Sequence, residues 1–293
     1  MPKNKKNDKR QISFVLPVYN EKEAIGEVLK ALLNDARLKE IDYEIIVVDD
    51  CSEDQGCEML GDFDVRVIRH EENKGYGAAL KTGIQHAKHD IIAICDADGS
   101  YPIERVFDLV GLINDYDMVV GARVNNYARL HLIRYPVKWI LNKYANYLVK
   151  TKIPDLNSGL RVFRKEVYGE FRHFLPSGFS FTSTITLALL SNNYRVKYVP
   201  IDYLKRSGKS KFRPISDTIN FLSLIIRTSL YFNPFRIYMP IALLLLVMGI
   251  FLFIYNAFAL QNITDLTLLF FLFGMQFLIL ALLADTFSRH RRK

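Results

Sequence analysis

Short apolar runs alternate with polar, helix-periodic stretches over the first 122 residues of the chain. Ile12 to Leu16, Tyr43 to Val48, Val65 to Ile68, Ile91 to Cys95 and Met118 to Gly121 read as strands, and several are rich enough in Ile and Val to be buried on both faces. Between them, Glu23 to Leu33, Glu53 to Leu60, Gly77 to Ala87 and Ile103 to Ile113 read as helices. This alternation predicts an α/β domain built on a mostly parallel sheet covered on both sides, with ligands bound at the carboxyl ends of its strands. Further along, Phe181 to Leu190 has the pattern of a short apolar helix.

The pattern changes near residue 237. Ile237 to Leu260 is a run of 24 residues without a charge, and Leu266 to Ala284 is a second of 19. At 1.5 Å per residue the first would be roughly 36 Å long, enough to cross a hydrocarbon core with some tilt. Only Gln261 to Asp265 separates the two runs, so the pair predicts a transmembrane hairpin, with Pro240 tolerated near one end. Arg236 precedes the first run and Arg289, Arg291, Arg292 and Lys293 follow the second, while the connecting loop has no basic residue. The positive-inside rule then puts both ends of the chain on the cytoplasmic side. The Asn262 sequon lies too close to both spans to be read as a glycosylation site. His131 to Lys150 mixes apolar residues with Arg134, Lys138 and Lys143, and Ile215 to Phe232 is mostly apolar with Asp217 and Arg227; both suit helices lying in the membrane interface, with packing on the soluble domain or on a second subunit as the alternative.

The expected organisation is a basic disordered tail (1–10), a catalytic domain (11–213) with an interfacial helix at about 131–150, and a juxtamembrane amphipathic helix (214–235). The hairpin (236–288) and a basic tail (289–293) follow. Charge adds to this picture. The net charge of +8 is concentrated at the ends and in Lys197, Lys205, Arg206, Lys209, Lys211 and Arg213, which suits a membrane surface or a phosphorylated substrate better than nucleic acid. The three cysteines are too few and too irregularly spaced for a bridge framework or a zinc site.

The residues just after the strands carry the candidate chemistry. Pro17-Val18-Tyr19-Asn20-Glu21 follows the first strand, Asp49-Asp50-Cys51-Ser52-Glu53-Asp54 the second and Asp96-Ala97-Asp98-Gly99-Ser100 the fourth. Three acidic loops on one edge repel one another unless a cation or a set of donors sits among them, and a divalent ion carrying a diphosphate is the simplest occupant. Asp96 and Asp98 flank one small residue at a strand end, an arrangement that holds a hard ion such as Mg²⁺ or Mn²⁺ while phosphates and water complete its shell. Asn73-Lys74-Gly75-Tyr76-Gly77 opens a helix and offers backbone N–H groups to an anion. It lacks the third glycine of a dinucleotide fingerprint and the Gly-Lys-Ser/Thr ending of a P-loop, which excludes hydride-transfer enzymes and P-loop NTPases.

Taken together, these motifs resemble the family 2 inverting glycosyltransferases with the GT-A fold, and within them the polyprenyl-phosphate branch of the dolichol-phosphate mannose synthase type. The likeness covers essentially the whole chain. It implies a hexosyltransferase in which Pro17, Tyr19, Glu21, Asp49, Asp50, Asp54, Lys74, Gly75, Asp96 and Ala97 line the nucleotide-sugar site. Asp96 and Asp98 would hold Mg²⁺ or Mn²⁺, with Ser100 standing where many relatives have a Gln and acting as a weaker ligand or through water. Cys51 likewise stands where Gly is frequent. Gly121-Ala122-Arg123, Asp155 to Arg161 and Arg206 to Lys211 are similar to motifs of the lipid-phosphate branch.

A lipid phosphate is already an oxyanion at pH 7, so such a reaction needs no general base to create its nucleophile, only cationic positioning and in-line attack that inverts the anomeric carbon. Arg123, Arg134, Ser158, Arg161, Arg206 and Lys211 are the candidates to hold the two phosphate groups, with Asp98, Arg123 and Asp155 as the catalytic set. Asp155 either orients a substrate or pairs with Arg161. The implied partners are a UDP- or GDP-hexose, a dolichyl or undecaprenyl phosphate and the membrane, with homo-oligomerisation left open. A processive polysaccharide synthase and a non-catalytic nucleotide-binding scaffold are the competing readings. The first would be expected to carry a Gln-x-x-Arg-Trp segment, which the surroundings of the sole tryptophan, Trp139, do not match.

Overall fold

The computed structural model describes residues 10–123, 143, 146–147, 149, 151–204, 222–223, 226–260 and 262–290. The chain divides into two compact units, Met1–Asn146 with Thr151–Thr218, and Tyr147–Lys150 with Ile219–Lys293.

The first unit is a seven-stranded sheet in the order β3-β2-β1-β4-β6-β5-β7. Its strands are β1 (Gln11–Val18), β2 (Asp42–Asp49), β3 (Arg66–Arg69), β4 (Ile91–Ile94), β5 (Met118–Arg123), β6 (Arg161–Arg164) and β7 (Val196–Ile201). β1 pairs in parallel with β2 and β4, β2 with β3, and β5 with β7, whereas β6 runs antiparallel between β4 and β5. The five strands read from the apolar runs are all present; β6 and β7 are additional. Phe14, Val15 and Leu16 of β1 are fully buried because helices cover both faces of this central strand.

Helix α1 (Lys22–Leu33) buries Ala24, Ile25, Val28, Leu29 and Leu32, the spacing of one helical face, and each aliphatic side chain removed from water contributes about 1.5–3 kcal/mol. Replacing Leu29 by Ala would cost about 2–5 kcal/mol, because the rigid sheet beneath it cannot collapse into the gap. The helices α2 (Tyr76–His86), α3 (Val106–Leu112), α4 (Lys165–Phe171) and α5 (Phe181–Ser191) complete the layers. Two expected helices differ. Ile103 to Ile113 opens as a 3₁₀ turn, Ile103–Arg105, before α3 begins. Glu53 to Leu60 is not an α-helix, and its place is taken by a 3₁₀ segment, Gly56–Asp62. There Gln55 takes φ 56°, and Gly56 packs so tightly on the Lys22 backbone that a Cβ would lie 2.8 Å from Lys22 Cα. Asp54 is spent on turn formation, accepting from Lys22 N–H at 2.8 Å and Gly56 N–H at 3.0 Å.

The second unit is a helical hairpin of α6 (Phe235–Tyr255), a π-helical turn (Asn256–Leu260) and α7 (Asp265–His290). Two stretches, Phe235–Ala259 and Asp265–Ser288, are long and apolar enough to span a bilayer. Only 11% and 17% of their most apolar windows is buried, which argues against the buried core of a soluble protein. At the tip, the Asn256 side-chain amide donates to Thr264 Oγ1 at 2.8 Å and Thr267 Oγ1 at 2.7 Å, so the polar groups beside the π-turn are satisfied internally. The expected interfacial helix at 131–150 lies largely outside the described residues.

Candidate active site

The carboxyl ends of β1, β2 and β4 bring the three acidic loops to one edge, in the register set by Val18 opposite Asp49 and Val15 opposite Ile94. Pro17 is buried one residue before the end of β1, and Tyr19 and Glu21 beyond the strand are half-buried. Asn20, at φ 54°, ties the first two loops together: its N–H donates to Ser52 Oγ at 3.0 Å and its Oδ1 accepts from Glu53 N–H at 2.9 Å.

The second loop is saturated by its own surroundings. Asp49 is buried and accepts from Ser52 N–H at 2.9 Å, with Arg69 Nε 3.4 Å from its other oxygen. Asp50 is also buried, and its oxygens receive His70 Nδ1 at 2.7 Å, Lys74 N–H at 2.9 Å and Gly75 N–H at 2.7 Å. The backbone donors expected to meet an anion at Lys74 and Gly75 thus meet Asp50 instead. That carboxylate supplies the charge that a helix N-terminus attracts.

The third loop is built differently. Asp96 Oδ1 accepts from the Tyr76 hydroxyl at 2.8 Å, and Asp98 Oδ1 accepts from Ser100 N–H at 3.0 Å and Ser100 Oγ at 2.5 Å. Gly159 lies against Asp96 so closely that a Cβ there would fall on the carboxylate. Burial and then the charge of Asp98 push the Asp96 pKa up to about 6, against the pull of the Tyr76 hydrogen bond and the Arg123 and Arg161 guanidiniums. A buried carboxylate whose ionisation is opposed by a second carboxylate beside it fits a divalent cation shared between the two. Among the described residues no group of three or more His, Cys, Asp or Glu side chains gathers to hold an ion, here or elsewhere, and this pair offers two carboxylates. An ion here would take its remaining ligands from a diphosphate and water, as Mg²⁺ sites commonly do.

Arg123, at the end of β5, is bound to Asp155 by Nε at 2.6 Å and Nη2 at 2.8 Å, and its own N–H reaches the same carboxylate at 3.2 Å. Burial would lower the pKa of Arg123 and raise that of Asp155, but the bidentate pair reverses both, holding the arginine above and the carboxylate below its ordinary value. Arg123 also lies over the Tyr203 ring at 5.2 Å. The partner of Asp155 is therefore Arg123, not Arg161.

Arg161 corrects a further expectation. It is the largest fully buried side chain among the described residues, with Nη1 donating to Thr182 O at 2.9 Å and Thr186 Oγ1 at 3.0 Å, and Nε and Nη2 donating to Ser158 O. Its donors are used inside the core, where burial lowers its pKa, and no face is presented to a phosphate. Ser158 is likewise buried, its hydroxyl given to Gly121 O at 2.5 Å. Arg134, Arg206 and Lys211 lie outside the described residues. Leu204, the last described residue before the Arg206 segment, donates its N–H to Ser100 O at 2.9 Å.

Sequence reasoning did not assign roles to Tyr76 or Tyr101. The Tyr101 hydroxyl oxygen accepts from Gly159 N–H at 2.8 Å and so fixes the glycine against Asp96. Tyr76 stood inside the Asn73 to Gly77 segment and Tyr101 directly after Ser100, which is the only signal either carried.

Residues 233–289 match the GtrB C-terminal hairpin model. A dolichyl-phosphate hexose transferase of Haloferax volcanii is 28% identical over 207 residues, 70% of this chain and 88% of that protein. An undecaprenyl-phosphate 4-deoxy-4-formamido-L-arabinose transferase of Pectobacterium carotovorum is 28% identical over 308 residues, 97% of this chain and 90% of that protein. Among solved structures, glucosyl-3-phosphoglycerate synthase from Mycobacterium tuberculosis, crystallised with Mn²⁺, uridine-diphosphate-glucose and phosphoglyceric acid, superposes with a TM-score of 0.58 at 18% identity, covering 75% of this chain and 80% of the other. That likeness establishes the fold. Residues 13–172, more than half of the chain, match the model of glycosyl transferase family 2, and the chain belongs to that family.

Proposed function

We propose that this chain transfers a single hexose from a UDP- or GDP-sugar to a polyprenyl phosphate, with inversion, at the cytoplasmic face of a membrane. The observation that carries the reading is the joining in one chain of the Asp96 and Asp98 pair with an exposed apolar hairpin. A transferase with a water-soluble acceptor has no need of the second. The chain-long likeness to a transferase named for undecaprenyl phosphate supports the same acceptor class.

In this reading Asp96 and Asp98 hold Mg²⁺ or Mn²⁺ together with the donor diphosphate, and Ser100 restrains Asp98. The ion, when bound, offsets the charge that grows on the departing nucleoside diphosphate. Pro17, Tyr19 and Glu21 line the nucleotide side, while Asp49, Asp50 and Asp54 shape it through the backbone they organise. Asp155 takes Nε and Nη2 of Arg123 and so fixes its plane, directing the remaining Nη1 donors to the acceptor phosphate. Arg134, Arg206 and Lys211 add positive charge for that phosphate, which is already ionised and attacks without a base.

The test uses the full chain in nanodiscs with Mg²⁺ or Mn²⁺, a panel of UDP- and GDP-hexoses and polyprenyl phosphate, comparing wild type with Asp98→Ala by mass spectrometry of the lipid fraction. A metal-dependent gain of one hexose, absent in the variant and of inverted anomeric configuration, is expected. Release of nucleoside diphosphate without glycolipid would remove the acceptor assignment, and a retained configuration would remove the direct displacement.

A further inference from the structure

The segment 175–180 is built tightly onto the start of α2. Ser177 O accepts from Ala78 N–H at 2.9 Å, and Leu175 O accepts from Lys81 Nζ at 2.5 Å. Gly75, at φ 95°, and Gly77 allow this approach: a Cβ on Gly75 would lie 2.8 Å from Ser177 O and one on Gly77 2.5 Å from Pro176 O. The segment thereby lays the Phe179 ring flat on Tyr76, with centroids 5.7 Å apart and planes inclined by 11°. Phe179 remains 78% exposed, the highest exposure of any large apolar side chain described in the catalytic unit. Core packing does not account for it, since a ring this open gains little from removal from water. What the stack does achieve is to cover one face of Tyr76, whose hydroxyl donates to Asp96 Oδ1 at 2.8 Å.

We propose that Tyr76 is a positioning residue for the Asp96 carboxylate, and that Phe179 holds the Tyr76 phenol in place by stacking on it. The inference rests on the reading of Asp96 as a ligand of the metal and diphosphate. Asp96 is then bounded on two sides, by the Tyr76 hydroxyl at Oδ1 and by the side-chain-free backbone of Gly159, itself fixed by Tyr101. A carboxylate constrained in this way presents one orientation to an incoming ion. Outer partners that orient a ligand are worth about 10–100-fold in metal affinity.

Three variants separate this role from simple packing. Tyr76→Phe keeps the ring and the stack and removes only the donor. Phe179→Ala removes the stack and keeps the donor, and Phe179→Tyr restores a ring. Binding of Mn²⁺ by the full chain in detergent, in the presence of UDP and separately of GDP, is read from the loss of the free Mn²⁺ electron paramagnetic resonance signal, with thermal unfolding recorded alongside. Tyr76→Phe should raise the half-saturating Mn²⁺ concentration about tenfold at an unchanged unfolding temperature. Phe179→Ala should raise it several-fold, and Phe179→Tyr should bring it back to the wild-type value. If Tyr76→Phe binds Mn²⁺ as wild type does, the positioning role is overturned while the functional reading stands. If wild type itself takes up no nucleotide-dependent Mn²⁺, both fall.

Discussion

Two loops that look alike in sequence have opposite fates in the structure. Asp49 and Asp50, after β2, are buried and fully engaged by Ser52, Arg69, His70, Lys74 and Gly75. Asp96 and Asp98, after β4, are held by the Tyr76 hydroxyl and by Ser100, and Asp96 is destabilised as an anion by burial and by its neighbour. The first pair stabilises the fold; the second carries an electrostatic cost at Asp96 of the kind that a bound cation would remove. Acidic loops of like composition at neighbouring strand ends therefore differ in electrostatic state, Asp50 being stabilised by the donors around it and Asp96 being held as an anion at a cost.

Turnover should separate the two loops most strongly. Asp98→Ala should lower sugar transfer by on the order of 10³-fold while leaving the unfolding temperature unchanged, as measured by product formation and by a thermal melt. Asp50→Ala should do the converse. It strips an acceptor from His70 and from two backbone N–H groups, so we expect a loss of about 3–5 kcal/mol of stability, seen as a fall of about 10 °C in Tm. A stable Asp50→Ala protein with inactive chemistry would show that the two loops share one role.

The motif-bearing loops were legible because they sit beside strands that apolar runs announce, and a parallel sheet dictates that chemistry gathers at its carboxyl edge. What escaped was whatever depends on partners distant in sequence. β6 carries Arg161 and Arg164 at its two ends, so its four residues have no apolar run to announce them, although they lie between two central strands. Asp155 faces Arg123, 32 positions away, and not the nearby Arg161 that local spacing suggests. Cys51 and Gln55 adopt positive φ, a conformation that their side chains do not advertise, and with it the expected helix after β2 becomes a 3₁₀ turn. The hairpin lost nothing in translation, since its signal is length and apolarity alone.

Two arginines differ in the same way, with smaller consequences. Arg123 is held in a plane by Asp155, whereas Arg161 spends its guanidinium on Ser158 O, Thr182 O and Thr186 Oγ1. Arg161→Met should therefore cost about 1–3 kcal/mol of stability, the orphaned acceptors being partly offset by loss of a buried charge, and should leave the KM for the lipid phosphate unchanged. Arg123→Met should raise that KM about tenfold or more. An acceptor KM that moved with Arg161 would return it to the phosphate site.

The smallest effect concerns pH, through Asp96 in the loop after β4. The Asp96 value of about 6 lies above the ordinary range near 4, so the folded protein holds this proton more tightly than the unfolded chain. Between about 4 and 6, falling pH consequently favours the unliganded fold through this group, while binding of a cation, which needs the carboxylate, moves the other way. Affinity for Mn²⁺ with a nucleoside diphosphate should weaken by up to about tenfold per pH unit below pH 6. The phosphate of the nucleotide titrates in the same region, so the informative quantity is the displacement between two proteins that share that background. The Tyr76 hydrogen bond pulls the Asp96 value down, and Tyr76→Phe should therefore shift the binding midpoint to higher pH, by up to about one unit. Coincident midpoints in calorimetric titrations at pH 5 to 8 would mean that Asp96 is not the group whose proton competes with the cation, and the contrast between the two loops would then have to rest on Asp98 alone.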